Sequence, residues 1–123
     1  MLATMGAAYV VAWLRALCFT WLIEVGCGVF MLGRRASVPR RLGLLLLGSG
    51  VTHPFVWFVF PFIGLDFIPA MILAELFAVC VEAGIYFFGV RGLGIHRALA
   101  ISLILNGLSL GLGLVLRHFW GLV

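Results

Sequence analysis

Lysine is absent from this 123-residue chain, and charge of either sign is scarce, at 10% of residues. Soluble globular domains carry about 25% charged residues. Hydrophobic residues instead reach 65%, with a mean hydropathy of +1.29. A water-soluble fold of this length needs a polar exterior, and the residues to build one are missing. That excludes a soluble enzyme, a disordered regulator and a disulfide-stapled secreted module. Cysteine is sparse too. Cys18, Cys27 and Cys80 lie in apolar stretches without C-x-x-C spacing, so they are expected as small hydrophobes in a packed interior. What remains is an integral membrane protein.

Four apolar spans are expected. The first apolar stretch covers 2–32, interrupted by Arg15. As one helix it would be roughly 46 Å long, more than a hydrocarbon core of about 30 Å needs. The embedded part is therefore placed at about 16–32, with 1–14 as a helical extension or interfacial segment. A cleaved signal peptide fits poorly, because no basic residue precedes the apolar run. The other spans read 42–63, 69–90 and 98–116. Their short links, 33–41, 64–68 and 91–97, force neighbouring helices to run antiparallel. The fold class expected is all-α: one transmembrane domain over 1–123, a four-helix bundle, with the second helix kinked at Pro54.

The eight basic residues are all arginines, and with four acidic residues they give a net charge of +4. They flank apolar runs instead of studding an aromatic polar face, so no nucleic-acid partner is expected. Arg34, Arg35, Arg40 and Arg41 fall in the first link, and Arg91 and Arg97 bound the third. The second link has no base and carries Asp66. The positive-inside rule then makes 33–41 and 91–97 cytoplasmic, with both termini on the opposite side.

Each span also carries polar groups at helical spacing, which places them on one face. These are Thr20 and Glu24 with Cys27 or Gly28; Ser49, His53 and Trp57, with Thr52 beside them; Glu75, Glu82 and Tyr86; and Ser102, Asn106, Ser109 and Gly113. A charge facing lipid costs at least about 2.5–3.5 kcal/mol, so the stripes should face one another. The expected interior cluster is Glu24, His53, Glu75, Glu82 and Asn106, joined by Tyr86. Glu75 and Glu82 stand about 10 Å apart along their helix, a ladder suited to protons or a cation. Buried Ser, Thr, Asn and His also serve as interhelical glue, averaging about 0.6 kcal/mol. Glue does not require ionisable groups, which makes the three glutamates the stronger functional signal.

The same residues assign no cofactor. His and carboxylate oxygens suit a divalent metal, yet no compact H-x-x-E, E-x-x-H or H-E-x-x-H spacing supplies paired ligands. A metal is therefore not favoured. No nucleophile motif or phosphate-cradling loop is present either, so the residues read against an enzyme, including one using paired glutamates as acid and base.

Two backbone features remain. Pro54 cannot donate to the Gly50 carbonyl and disfavours helix at His53, so span two is expected to kink or unwind there. Broken mid-membrane helices mark binding sites in transporters. Gly107 and Gly111 form a G-x-x-x-G pattern that permits close approach to a neighbouring span or to a second copy. Four short spans enclose little volume, so a homo-oligomer or a larger membrane complex is expected. Length and a first-span glutamate are similar to those of small multidrug-resistance exporters. Their aromatic and proline pattern is absent and the span-three glutamates do not fit, so no roles carry over. The expected function is binding or conduction of protons, a cation or a small polar solute through the buried cluster. The alternative is a non-catalytic accessory or assembly subunit.

Overall fold

The structure, a computed structural model, describes residues 6–120. It contains four long helices, α1 (Ala7–Met31), α2 (Val38–Phe58), α3 (Phe67–Gly89) and α4 (Ile95–Trp120), with a 3₁₀ turn (Phe60–Phe62) after α2. All four are long and apolar enough to cross a bilayer. They close into a ring in which α1 packs on α2, α2 on α3, α3 on α4, and α4 back on α1. The chain is an all-α integral membrane helical bundle.

Helix boundaries depart from the expected spans for local reasons. The first span and the described part of its extension form one continuous rod of 25 residues, while 1–5 lie outside the described residues. At about 1.5 Å per residue that rod exceeds the hydrocarbon thickness, which membrane helices accommodate by tilting. Helix α2 starts four residues early because the Ser37 hydroxyl accepts from the Arg40 N–H at 3.3 Å and a proline occupies the first turn, a standard N-terminal combination. It then remains helical across Pro54 to Phe58, so the expected unwinding does not occur. One proline removes a single intrahelical bond, and packed neighbours in a membrane bundle tolerate that loss. Pro69 sits in the first turn of α3, where its missing N–H has no helical partner to lose.

The turns depend on glycine. Gly33, Gly64 and Gly92 have φ of 73°, 85° and 77°, a region that side chains with a Cβ rarely occupy. At the end of the bundle holding the first and third links, arginines bind carbonyls in the links and in the last turns of α1 and α3. Arg35 Nη1 donates to the Gly92 carbonyl, and Arg40 Nε donates to Gly89 at 2.7 Å. Arg41 donates to Ala36 at 3.1 Å through Nε and to Val29 through Nη1. The last carbonyls of a helix lack partners and carry partial negative charge, so guanidinium donors are favourable there. These side chains join the link regions to the ends of α1 and α3. At the other end, the Tyr9 hydroxyl donates to the Trp57 carbonyl at 2.6 Å, and the rings of Tyr9 and Trp13 pack edge-on against Phe58.

The core is uneven along the bundle. Leu32, Leu45, Val90, Leu93, Ile101 and Leu105 are buried together with Ala83 and the ring of Tyr86. They form an apolar plug toward the first and third links. Close packing within it rests on Gly28, where an added Cβ would stand 2.5 Å from Leu45 Cδ2 and 3.0 Å from Leu105 Cδ1.

Two expectations about packing are corrected. Gly107 and Gly111 are exposed, and nothing lies within 4 Å of an added Cβ at either, so they mediate no contact between spans of this chain. Cys18, Cys27 and Cys80 are exposed and do not sit in a packed interior. The reason is common to both. In a membrane the outer surface is as apolar as the core, so an apolar residue carries no information about which way it faces.

Candidate functional site

The polar stripes meet on the inner faces of the helices, and helix α2 is the hub. Ser49 and Thr52 stand three residues apart and therefore share a face. α2 lies between α1 and α3, and each hydroxyl reaches a glutamate on a different neighbour. Ser49 Oγ donates to Glu24 Oε2 on α1. Thr52 Oγ1 lies 2.8 Å from Glu82 Oε1 on α3, and 3.1 Å from the carbonyl of Gly48 one turn back. The Asn106 amide of α4 completes the ring, donating to Glu82 Oε2 at 2.6 Å and to the Ser102 carbonyl at 2.9 Å. Two amide hydrogens meet two acceptors, which fixes the amide orientation. Ser102 Oγ donates to the Val79 carbonyl at 2.8 Å, and Ser109 Oγ to the Asn106 carbonyl at 3.1 Å. Glu24 and Glu82 are both essentially inaccessible, at 0% and 1% exposure. Buried carboxyls persist in such places chiefly when hydrogen-bonded. The network supplies partners to both oxygens of Glu82 and to Oε2 of Glu24, while Glu24 Oε1 has none among the described residues.

Gly48 permits the arrangement. A Cβ there would come within 3.2 Å of Glu82 Cγ and 3.6 Å of the Tyr86 hydroxyl. The glycine that weakens the helix on paper lets α2 approach α3 closely enough for Thr52 to reach Glu82.

A cavity of about 750 Å³ opens above this layer. Its walls include Tyr9, Phe19, Trp57, Phe60 and Phe67, with Arg117 from the far part of α4. Its polar lining includes Thr20, His53, Glu75, Ser49, Thr52, Glu82, Asn106 and Ser109. Below, the apolar plug closes the bundle.

The six candidate residues separate into three groups. Glu82 and Asn106 bond directly to one another, and Glu24 joins the same α2 segment through Ser49 without bonding to Glu82. His53 and Glu75 are half-buried and line the cavity. His53 Nε2 lies 3.4 Å from Thr20 Oγ1, and its ring stacks on Trp57 at 6.1 Å between centroids. Tyr86 is fully buried among the apolar plug residues, and its hydroxyl has no hydrogen-bond partner among the described residues. Among those residues no three His, Cys, Asp or Glu side chains gather in a metal-binding group. Ser49, on the stripe, and Thr52, beside it, carry more of the network than the six candidate residues implied. The available signal was their i, i+3 spacing on a helix flanked by two glutamate-bearing spans.

The fold and site define a class: a four-helix integral membrane protein with an internal hydrogen-bond network built around buried carboxyls. No protein family, curated protein or solved structure matches the chain.

Proposed function

We propose that this protein binds or conducts protons, a cation or a small polar solute through the Glu82-centred network, entered from the cavity. One observation carries the reading. A polar-floored cavity leads to a carboxyl that is 1% exposed and bonded by donors from two other helices. Structural glue alone needs neither an ionisable group nor a route to it. Glu75 and His53 serve as polar stations along the way, and the reading is non-enzymatic. The helices run antiparallel with a bend in α2 at Pro54. The arginine-rich links face the cytoplasm and the cavity faces the opposite side, as the positive-inside rule requires.

The experiment is flux into reconstituted vesicles. Glu24→Gln and Glu82→Gln, near-isosteric changes, are each expected to abolish pH-dependent uptake. Wild-type uptake in both variants would refute the proposal. Orientation is checked in cells by thiol labelling, with the three native cysteines replaced by alanine. A cysteine introduced at Ser37 is expected to react only with a membrane-permeant reagent, and one at Ile63 with an impermeant reagent as well.

A second reading, an accessory subunit or homo-oligomer, is favoured by the outward exposure of Gly107 and Gly111. If that face docks on a second copy or a larger complex, Gly107→Ile and Gly111→Ile reduce association in gentle detergent. The isolated bundle should be unaffected, because nothing in the chain occupies that space. Unchanged migration of both variants would remove this face from consideration.

A further inference from the structure

We infer that Thr52 is the positioning residue that lets Glu82 gain and lose a proton with no heavy atom moving, and that the site's cargo is therefore the proton. This rests on the reading that the cavity serves Glu82, and sets the proton above a metal cation as its cargo.

The argument is donor and acceptor arithmetic. With Glu82 ionised, Oε1 accepts the Thr52 hydroxyl at 2.8 Å and Oε2 accepts the Asn106 amide at 2.6 Å. Both carboxylate oxygens then have a partner. With Glu82 neutral, the new O–H on Oε1 donates to Thr52 Oγ1, a hydroxyl oxygen able to accept as well as donate. The Thr52 hydrogen then turns to the Gly48 carbonyl, 3.1 Å away. That carbonyl has a second lone pair available beyond its helical bond. Asn106 keeps donating to Oε2 throughout, and its other hydrogen stays on Ser102. Each protonation state closes every hydrogen bond, and one hydroxyl rotation separates them. The step balances simply: a hydronium from cavity water forms the Oε1–H bond and leaves as water.

The same arithmetic disfavours a metal cation. Thr52 can turn its hydrogen to Gly48 and face a cation with Oγ1, but the Asn106 amide points a hydrogen at Oε2, and an amide nitrogen is not a metal ligand. A metal ion held by both carboxyl oxygens would have to displace Asn106. The surrounding titratable groups are Glu24 on α1, reached through Ser49; His53 on α2, next to Thr52; and Glu75 and Tyr86 on α3, two turns and one turn from Glu82. From α4 only the neutral Asn106 and Ser102 face it, while Arg117 lies far along the cavity wall.

The test compares Thr52→Val, which keeps the shape without the hydroxyl, with Thr52→Ser, which restores the hydroxyl. Vesicles carrying an internal pH dye are driven by an imposed membrane potential, with sodium present or absent. Proton flux in Thr52→Val is expected to fall about tenfold, the equivalent of about 1.4 kcal/mol. Thr52→Ser should stay within about threefold of wild type, and sodium should not alter the rate. In infrared difference spectra, the carbonyl stretch of neutral Glu82, identified by its loss in Glu82→Gln, should move in Thr52→Val and return in Thr52→Ser. A merely structural threonine would leave that band in place. Helicity and unfolding in SDS show that each variant is folded. Wild-type proton flux in Thr52→Val, an unmoved carbonyl band, or Glu82-dependent flux of sodium without protons would each overturn the inference. The last two leave the broader reading standing, whereas undiminished flux of every cargo in Glu82→Gln removes both.

Discussion

Glu82→Gln is expected to eliminate flux while unfolding within about 1 kcal/mol of the parent, and Glu82→Leu to lose both flux and stability. Glutamine keeps each hydrogen bond drawn for the neutral acid and adds a second amide hydrogen with no acceptor in the network, the source of a cost of about 1 kcal/mol. Its Nε2 donates to Thr52 Oγ1, Thr52 turns to Gly48, and its Oε1 accepts from Asn106. Every partner, at 2.6–3.1 Å, is retained. What glutamine lacks is a proton it can release. Leucine keeps the volume but removes the acceptor from Asn106. Leaving a buried donor unpaired costs about 1–3 kcal/mol. Thr52 retains Gly48, but Ser102 Oγ at 3.4 Å from the freed amide is too long to replace a 2.6 Å bond, so the loss should fall toward the upper end of that range. Unfolding in SDS measures stability, and the vesicle assay measures flux. A glutamine variant as unstable as the leucine variant would show that the network had been misassigned.

The second large effect lies in the plug. Gly28→Ala is expected to destabilise the bundle by about 1–3 kcal/mol, the usual range for overpacking. The added methyl would stand 2.5 Å from Leu45 Cδ2 and 3.0 Å from Leu105 Cδ1, and both leucines are 0% exposed, so each must shift within the plug. Alanine is favoured over glycine in a helix by about 1 kcal/mol, so two effects compete, and at this site the overlap is the larger. Gly26→Ala is the control on the same helix. Nothing lies within 4 Å of its added Cβ, so only the propensity gain remains and stability should hold or rise. The same SDS titration reads both. Equal behaviour of the two variants would mean that α1 does not pack on Leu45 and Leu105 as described.

Some features could be read from the chain and others could not. Hydrophobic run length and scarce charge define four bilayer-crossing helices, because insertion depends on composition alone and not on what each residue meets. The polar stripes were equally legible. Glu24, Glu82 and Asn106 had to face inward, since lipid penalises them wherever the partner helices stand. Which residues would bond to them was not legible: Ser49, a member of the stripe, and Thr52, beside it, became its connectors. The arginines of the first link likewise read as markers of membrane sidedness. Their second role, binding the terminal carbonyls of α1 and α3, required knowing which helix ends meet.

Glycine and cysteine show the limit most clearly. From spacing, Gly107 and Gly111 were the packing pair, whereas Gly28, Gly48 and Gly89 are among those that make close approaches. In water, hydrophobicity separates inside from outside, and sequence periodicity records the difference. In a bilayer both surfaces are apolar, so the chain specified that the helices enter the membrane and which polar groups turn away from lipid. Rotation of each helix, the pairing of hydroxyl with carboxyl, and the cavity above Glu82 depended on how small residues fit against neighbours distant in sequence, which only the tertiary structure decided.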